Sequence, residues 1–386
     1  MEIAIVAVAY NRVDSLGRLL GSLDKAYYND CTPTLIISID KSKTDDVEWF
    51  AETYSWKYGE KIVDKHEKNL GLRAHMMSLG KWFDRFDAIV VLEDDIVVSP
   101  NFFTYTYQAV EKYHVCTEIA GISLYGFSVN YQTGLPFVPF KDEHDAYFMN
   151  CAMSWGEVWM RNSWLKFYEW YLNHQDFPVL PHLPYSICSW NQKSWLKYHT
   201  RYCIEENKYF VHPYVSQVTN YSEAGEHSAG STIFQVPMQQ GCVKTFNLPE
   251  FCEDAVKYDG FFENKALYKK LGLTSNDLCL DLQGGNPNQL KKRYWLTTKV
   301  ANYKTVQTYR LCYRPIELNV MMNVPGQQVF LYDTNSIEKN YVKTKNEDLL
   351  FHFHINSMFF FVRRYGFGNF LSSMFQAVKN KIKGVL

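Results

Sequence analysis

The sequence predicts an α/β fold: a mostly parallel sheet flanked by helices, with a smaller C-terminal β-containing appendage and a terminal amphipathic helix. Three observations predict it. Ile3–Ala9, Thr34–Ile39 and residues 88–92 are nearly continuous apolar runs, the signature of strands buried on both faces. Segments of helical spacing separate them. Polar residues stand directly after each run, at Asn11-Arg12, at Asp40 and at Glu93-Asp94-Asp95, and open α/β sheets bind ligands at the carboxyl ends of their strands.

Asp14-Ser15 lead into Leu16, Leu19, Leu20 and Leu23, one apolar helical face after the first strand. Residues 72–83 carry helical spacing ahead of the third strand. From 120 to 245 the alternation is lost, and the Trp-rich stretches SWGEVWMRNSW and SWNQKSW precede the segment 209–218 and the Gly-rich NYSEAGEHSAGS. Residues 1–245 read as one domain, with a nucleotide-binding half over 1–118 and an acceptor half over 119–245. Residues 246–386 read as the appendage: QGGNPNQ is a loop, and 294–298, 306–311 and 329–332 are short β-rich runs.

With 47% hydrophobic and 21% charged residues in 386, the chain can bury a large core and is not a disordered segment. A net charge of -1 excludes binding to nucleic acid through bulk charge. Nine scattered cysteines without a CxxC pair argue against a zinc cluster or disulfide framework and for a reduced, cytoplasmic chain. The opening MEIAIVAVAYNR is too short for a signal peptide or a membrane span.

The C-terminal stretch has a different character. Phe359, Phe360 and Phe361 precede Arg363-Arg364, and Phe370, Leu371, Met374, Phe375, Val378 and Ile382 recur at helical spacing beside Lys379, Lys381 and Lys383, with no acid after Ser357. An amphipathic helix over about 358–386 with a basic, aromatic character is the pattern of an interfacial membrane anchor, placing the chain peripherally at an inner membrane face. The alternative is a helix docked on the domain's own core.

AIVVLEDDIVVSPNFF carries the chemistry. Three consecutive acids repel one another's charge, and a hard divalent cation such as Mn²⁺ or Mg²⁺ relieves that repulsion while also taking diphosphate oxygens. At this point the sequence resembles a family. IAIVAVAYNR, LIISID, NLGLRAHMMSLGKWF and VVLEDDIVVSPNFF look like the nucleotide-sugar glycosyltransferases of the GT-A (Rossmann-like) fold, most closely the N-acetylglucosaminyltransferase I type and bacterial family 2-like proteins. The likeness covers roughly residues 1–245.

The resemblance implies roles. Asp95, closing a DXD-like triplet, ligates the metal that bridges the donor diphosphate, and Glu93 and Asp94 hydrogen-bond the donor sugar and ribose. Asn11, Arg12 and Asp40 face the nucleotide, with Arg12 and Asp40 on its uridine side; Arg73 and His75 lie in the helix that can touch the donor. GEHSAGS resembles the family's closing loop, with His227 and Ser228 as phosphate donors. The catalytic base departs from the pattern: where the family has an acid between tryptophans, this chain has Asn191 and Gln192. Glu157, between Trp155 and Trp159, is the favoured replacement, with Glu223 or Glu226 as alternatives.

The implied function is a metal-dependent, inverting transfer from a UDP-sugar to a glycan or lipid-linked acceptor in surface polysaccharide synthesis. Two alternatives stand beside it. One is a catalytically degenerate protein that binds sugar nucleotide or glycan, suggested by Asn191-Gln192. The other is a sugar-phosphate nucleotidylyltransferase, although AYNRVDSLGR has no glycine before its helix.

Overall fold

The computed structural model describes residues 1–221, 234–286, 292–342 and 355–382. Its strands are β1 (Ile3–Ala9), β2 (Thr34–Ile39), β3 (Lys61–Lys65), β4 (Ala88–Glu93), β5 (Ile96–Val98), β6 (Ile119–Ser123), β7 (Ala146–Met149), β8 (Glu157–Met160), β9 (Tyr209–Pro213), β10 (Val218–Asn220), β11 (Lys257–Tyr258), β12 (Leu278–Asp281), β13 (Tyr294–Thr297), β14 (Lys304–Tyr309) and β15 (Val329–Asp333). The helices that matter for the site are α1 (Val13–Leu23), α2 (Asp46–Thr53), α3 (Leu72–Ser78), α4 (Phe102–Tyr113), α5 (Arg161–Leu172), α6 (Tyr185–Ser189) and α7 (Leu196–Glu205).

The chain divides into two compact units. The first comprises Met1–Ser128, Pro139–Tyr221 and Val236–Lys269. Its centre is a nine-stranded sheet in the order β11-β7-β9-β6-β8-β4-β1-β2-β3. β4, β1, β2 and β3 run parallel, as the apolar runs of β1, β2 and β4 predict; β1 and β2 are buried along their whole length, while the edge strand β3, KIVDK, is only partly buried. β8 enters antiparallel between β4 and β6, and β7 runs antiparallel to β9, so the sheet is mixed beyond the nucleotide half. The unit continues past residue 245 because β11 adds to its edge beside β7.

α1 buries Leu16, Leu19, Leu20 and Leu23, the face its spacing predicts. The helical pattern over 72–83 resolves into α3 and a 3₁₀ turn, Leu79–Asp84. Beyond the sheet, a large aromatic core joins Trp159, Trp164, Phe167, Trp195, Tyr198 and Phe210, and Trp159 stacks on Trp164 with ring centroids 4.1 Å apart. Much of the high aromatic content is therefore core.

The second unit includes Val129–Val138 and the chain from Lys270 onward. It holds a four-stranded sheet, β12-β13-β15-β14, around Cys279, Trp295, Phe330 and Tyr332. Three of its strands fall on the β-rich runs of the sequence; β12 was not expected. Its Asp281 is buried and accepts hydrogen bonds from the Trp295 indole at 3.1 Å and the Asn286 N–H at 3.0 Å.

The C-terminal pattern forms two helices rather than one, Ile355–Tyr365 and Phe367–Ile382. Gly366 separates them at φ 87°, a left-handed conformation that glycine adopts without the Cβ clash. No helix among the described residues is long and apolar enough to cross a membrane. All nine cysteines are free thiols.

Candidate functional site

β1 and β4 are neighbours with Val8 opposite Glu93, so the residues just after β1 meet the acids at the end of β4. Arg12 donates through Nε to Asp94 Oδ2 at 3.1 Å and through Nη2 to Asp94 Oδ1. The same Nη2 stands 3.5 Å from Asp95 Oδ2. This bidentate fork neutralises Asp94, a carboxylate only 6% exposed, and leaves Asp95 27% exposed. Arg12 is therefore turned onto the acid triplet. Asn11, beside it, is exposed.

Glu93 is half-buried, and its carboxyl is pushed up to about 8 by burial and by the charges of Asp95 and Asp94. The approach of the Trp195 side chain and the Arg12 charge partly offset that rise. That approach brings the SWNQKSW segment to the triplet, a convergence the sequence did not reveal, because nothing local to either segment encodes it.

Asp40 is buried at the end of β2. Its Oδ1 accepts the Lys41 and Leu70 N–H groups at 2.9 and 2.8 Å, and its Oδ2 accepts the Gly71 N–H at 2.9 Å. Gly71 has φ 75°, and the carboxylate fixes the turn that launches α3. From α3, Arg73 donates to the Tyr198 hydroxyl at 2.9 Å, bridging to α7. His75 points inward instead: it is 2% exposed, lies 2.8 Å from Ser38 Oγ, and is pushed down to about 4 by burial and by His66. A direct donor contact through His75 does not fit that burial.

Glu157 stands on β8, a strand and not a solvated helix, and is 1% exposed. Its Oε1 accepts the Met153 N–H at 2.8 Å, its Oε2 accepts the Trp159 indole at 2.6 Å, and His199 Nδ1 lies 3.4 Å from Oε2. Trp159, one of the tryptophans flanking it in sequence, thus holds the acid within the fold. Asn191 and Gln192 are exposed on the loop before α7, where Asn191 Oδ1 accepts the Lys193 N–H at 2.9 Å.

β5, just past the triplet, pairs antiparallel with β10, and the Tyr221 N–H donates to the Asp95 carbonyl at 2.8 Å. Glu223, Glu226, His227 and Ser228 follow Tyr221 and lie outside the described residues.

A divalent ion taking one protein carboxylate, with its other sites left to diphosphate and water oxygens, fits Asp95, whose hard oxygens remain accessible. The acids Glu93, Asp94 and Asp95 do not converge on one point. Among the described residues the three-ligand grouping within 4.8 Å is Asp142, Glu143 and His144, on the loop before β7, where the His144 ring is already bonded to Asp142 at 2.9 Å.

The family model described as Glycosyl transferase family 2 matches residues 4–167. No curated protein sequence matches the chain. Among solved structures, the chain is similar to S. aureus TarS 1-349 in complex with UDP-GlcNAc, at TM-score 0.41 and 15% identity, covering 59% of this chain and 60% of that one. It is also similar to the mannosyltransferase PcManGT from Pyrobaculum calidifontis in complex with GDP-Man and Mn²⁺, at TM-score 0.36 and 9% identity over 55% of this chain and 54% of that one. A third similarity is to GalNAc-T7 with UDP, GalNAc and Mn²⁺, at TM-score 0.39 and 12% identity over 57% and 44%. The chain thus spans roughly half the length of the structures it matches. The α/β fold, the matched family and the strand-end acids agree in resembling the GT-A nucleotide-sugar glycosyltransferases.

Proposed function

We propose that the protein is a metal-dependent, inverting glycosyltransferase that moves a sugar from a nucleotide-diphosphate sugar, a UDP-sugar, to a glycan or lipid-linked acceptor of surface polysaccharide synthesis. The observation that carries this reading is the meeting of Arg12, Asp94 and Asp95 at the carboxyl ends of β1 and β4, which leaves one accessible carboxylate beside a cationic fork. Asp95 would hold Mn²⁺ or Mg²⁺ against the diphosphate, and the ion would neutralise charge on the leaving nucleotide. In this reading Asn11 and Arg12 would face the base and ribose, Asp40 sets the turn that launches α3, and Arg73 on that helix would contact the donor. His227 and Ser228 complete the proposed donor contacts. The domain division into a nucleotide half, an acceptor half and an appendage belongs to the same reading, as does work at the cytoplasmic face of a membrane.

Thermal stabilisation by UDP-, GDP- and CDP-sugars, each with and without Mn²⁺, tests it, because a ligand of the native state raises stability by mass action. The expected result is stabilisation by a UDP-sugar that depends on Mn²⁺. A chain indifferent to every nucleotide sugar would not be a transferase. Donor binding without transfer would instead favour the degenerate, binding-only alternative that Asn191-Gln192 suggests.

A further inference from the structure

The two faces of the sheet β12-β13-β15-β14 are unlike. Pairing of Cys279 with Trp295 and of Trp295 with Tyr332 puts these residues and Phe330 on one face, the aromatic core of the second unit. Side chains alternate along each strand, so Tyr294, Leu331, Gln307 and Tyr309 share the other face, with Leu331 opposite Gln307. That face holds a pocket of about 390 Å³, lined wholly by residues of the second unit from Lys270 onward. Its size falls in the lower part of the roughly 300–1,000 Å³ range of small-ligand sites. A bulge shapes its wall. β14 pairs Thr305 with Tyr332 and Gln307 with Leu331, which leaves Val306 out of the ladder, and the consecutive residues Val306 and Gln307 both line the pocket instead of pointing to opposite faces.

The polar groups of this pocket are unengaged. Tyr309 lines it and is 1% exposed, yet its hydroxyl meets no hydrogen-bond partner among the described residues. Buried hydroxyls are normally bonded, so this one is a donor and acceptor left for a ligand. The side chains of Lys270, Gln307 and Asn323 line the same pocket and make no hydrogen bond or ion pair among the described residues. Asn323 stands at φ 50°, a left-handed conformation that asparagine tolerates, and its amide remains unused. The Tyr294 ring, Val306 and Leu331 supply apolar surface, and no Asp or Glu is among the lining residues. A ligand that satisfies such a wall is amphipathic, with a C–H face for the ring and several hydroxyls that both donate and accept. A pyranose has that make-up. A purely apolar ligand would desolvate the Tyr309 hydroxyl and two amides without bonding them, and a nucleotide's phosphates would meet one cation.

We propose that the pocket on the β13-β15-β14 face binds a sugar residue of a glycan, with Tyr294 against the sugar's C–H face and Tyr309, Gln307 and Asn323 bonding its hydroxyls. Lys270, exposed at the rim, takes a ring substituent, a carboxylate where the sugar is acidic. The site belongs to the second unit alone and does not depend on the transferase reading, whose acid triplet and Arg12 lie in the first.

Saturation-transfer NMR on the full chain, without nucleotide or metal, tests the site with maltotetraose, chitotetraose and tetragalacturonate. Binding of at least one with a millimolar Kd is expected, and the galacturonate arm separates an acidic sugar, paired by Lys270, from a neutral one. Tyr309→Phe removes only the unpartnered hydroxyl. It is expected to weaken binding roughly threefold to tenfold, the worth of one hydrogen bond, while the melting temperature holds or rises because the hydroxyl has no partner in the fold. Asn323→Gly keeps the left-handed backbone, deletes the amide and is expected to weaken binding likewise. Val306→Trp, at a half-exposed position of the edge strand β14, fills the pocket and is expected to abolish binding. Absence of binding by all three oligosaccharides would overturn the proposal. So would undiminished binding in folded Val306→Trp, which would put the sugar elsewhere on the chain, or a lowered melting temperature in Tyr309→Phe, which would give the hydroxyl to the fold. Mn²⁺-dependent stabilisation by a UDP-sugar is a separate measurement, so either reading can fail while the other stands.

Discussion

Arg12 and Asp94, brought together by adjacent parallel strands, form a bidentate pair at the mouth of the sheet, Nε to Oδ2 at 3.1 Å. The pair does two things. It compensates a carboxylate that is nearly buried, and it aims a cation at Asp95. Arg12→Gln is expected to destabilise the fold by about 1–3 kcal/mol, the cost of leaving a buried charged acceptor short of its partner, and to weaken donor binding as well. Urea unfolding beside nucleotide titration checks both; a stable variant with normal donor affinity would show the pair to be incidental.

Asp95→Asn separates metal from fold. Its carboxylate is 27% exposed and carries little of the packing. The substitution is expected to erase Mn²⁺-dependent stabilisation by the donor, worth about 2.7 kcal/mol at a hundredfold excess over Kd, with little change in the ligand-free melting temperature. Persistence of the metal-dependent shift would move the ion elsewhere.

The site's framework was legible where the chain is locally redundant. β1 and β2 are unbroken apolar runs followed at once by Asn11-Arg12 and Asp40, so each strand and the polar residues at its carboxyl end could be read from one stretch. Glu157 was not legible in the same way. An acid between tryptophans reads equally as a pocket residue or a surface charge, and its partners Met153, Trp159 and His199 are chosen by β8 inserting antiparallel beside β4. The approach of Trp195 to Glu93 is likewise long-range, and Gly366 hid a break inside what the helical spacing presents as one continuous helix.

Glu157 now has a sharper test. With one oxygen on a backbone N–H and the other on an indole N–H, Glu157→Gln must turn an amide NH₂ toward a donor. The expected cost is about 1–3 kcal/mol of stability, with transfer per folded molecule changed less than threefold. A base would instead lose roughly two to four orders of magnitude in rate at unchanged stability. Melting curves and steady-state rates together distinguish the outcomes.

His75 predicts an acid limb in stability. Its folded value, pushed down to about 4, lies below that of the unfolded histidine, so between pH 6.5 and about 4 the unfolded chain binds the additional proton. Stability contributed by the neutral ring is whole above pH 6.5 and is lost as pH falls toward 4, by up to about 3 kcal/mol. In His75→Gln the slope of unfolding free energy against pH in that window should flatten by close to one proton. An unaltered slope would mean that the ring titrates alike in both states.

The C-terminal helix pair supports the membrane part of the proposed function. Phe359, Phe360, Phe367 and Phe375 are 61–72% exposed, an apolar display unusual for a solvated helix, and the recorded ring contacts of Phe361, Tyr365, Phe367 and Phe370 are with one another. Five basic residues lie between 363 and 383 without an acid after Ser357, which suits anionic headgroups over which aromatic side chains settle. Vesicles of phosphatidylcholine with and without phosphatidylglycerol should therefore separate by flotation, the chain rising with the anionic set at low salt and less so at high salt. Removing residues 355–386 should abolish flotation yet spare donor-dependent stabilisation, because the acid triplet and its Arg12 partner belong to the first unit. If the full chain stays with the soluble fraction at low salt, the apolar face covers something other than lipid; if truncation lowers the melting temperature sharply, the helices are part of the fold.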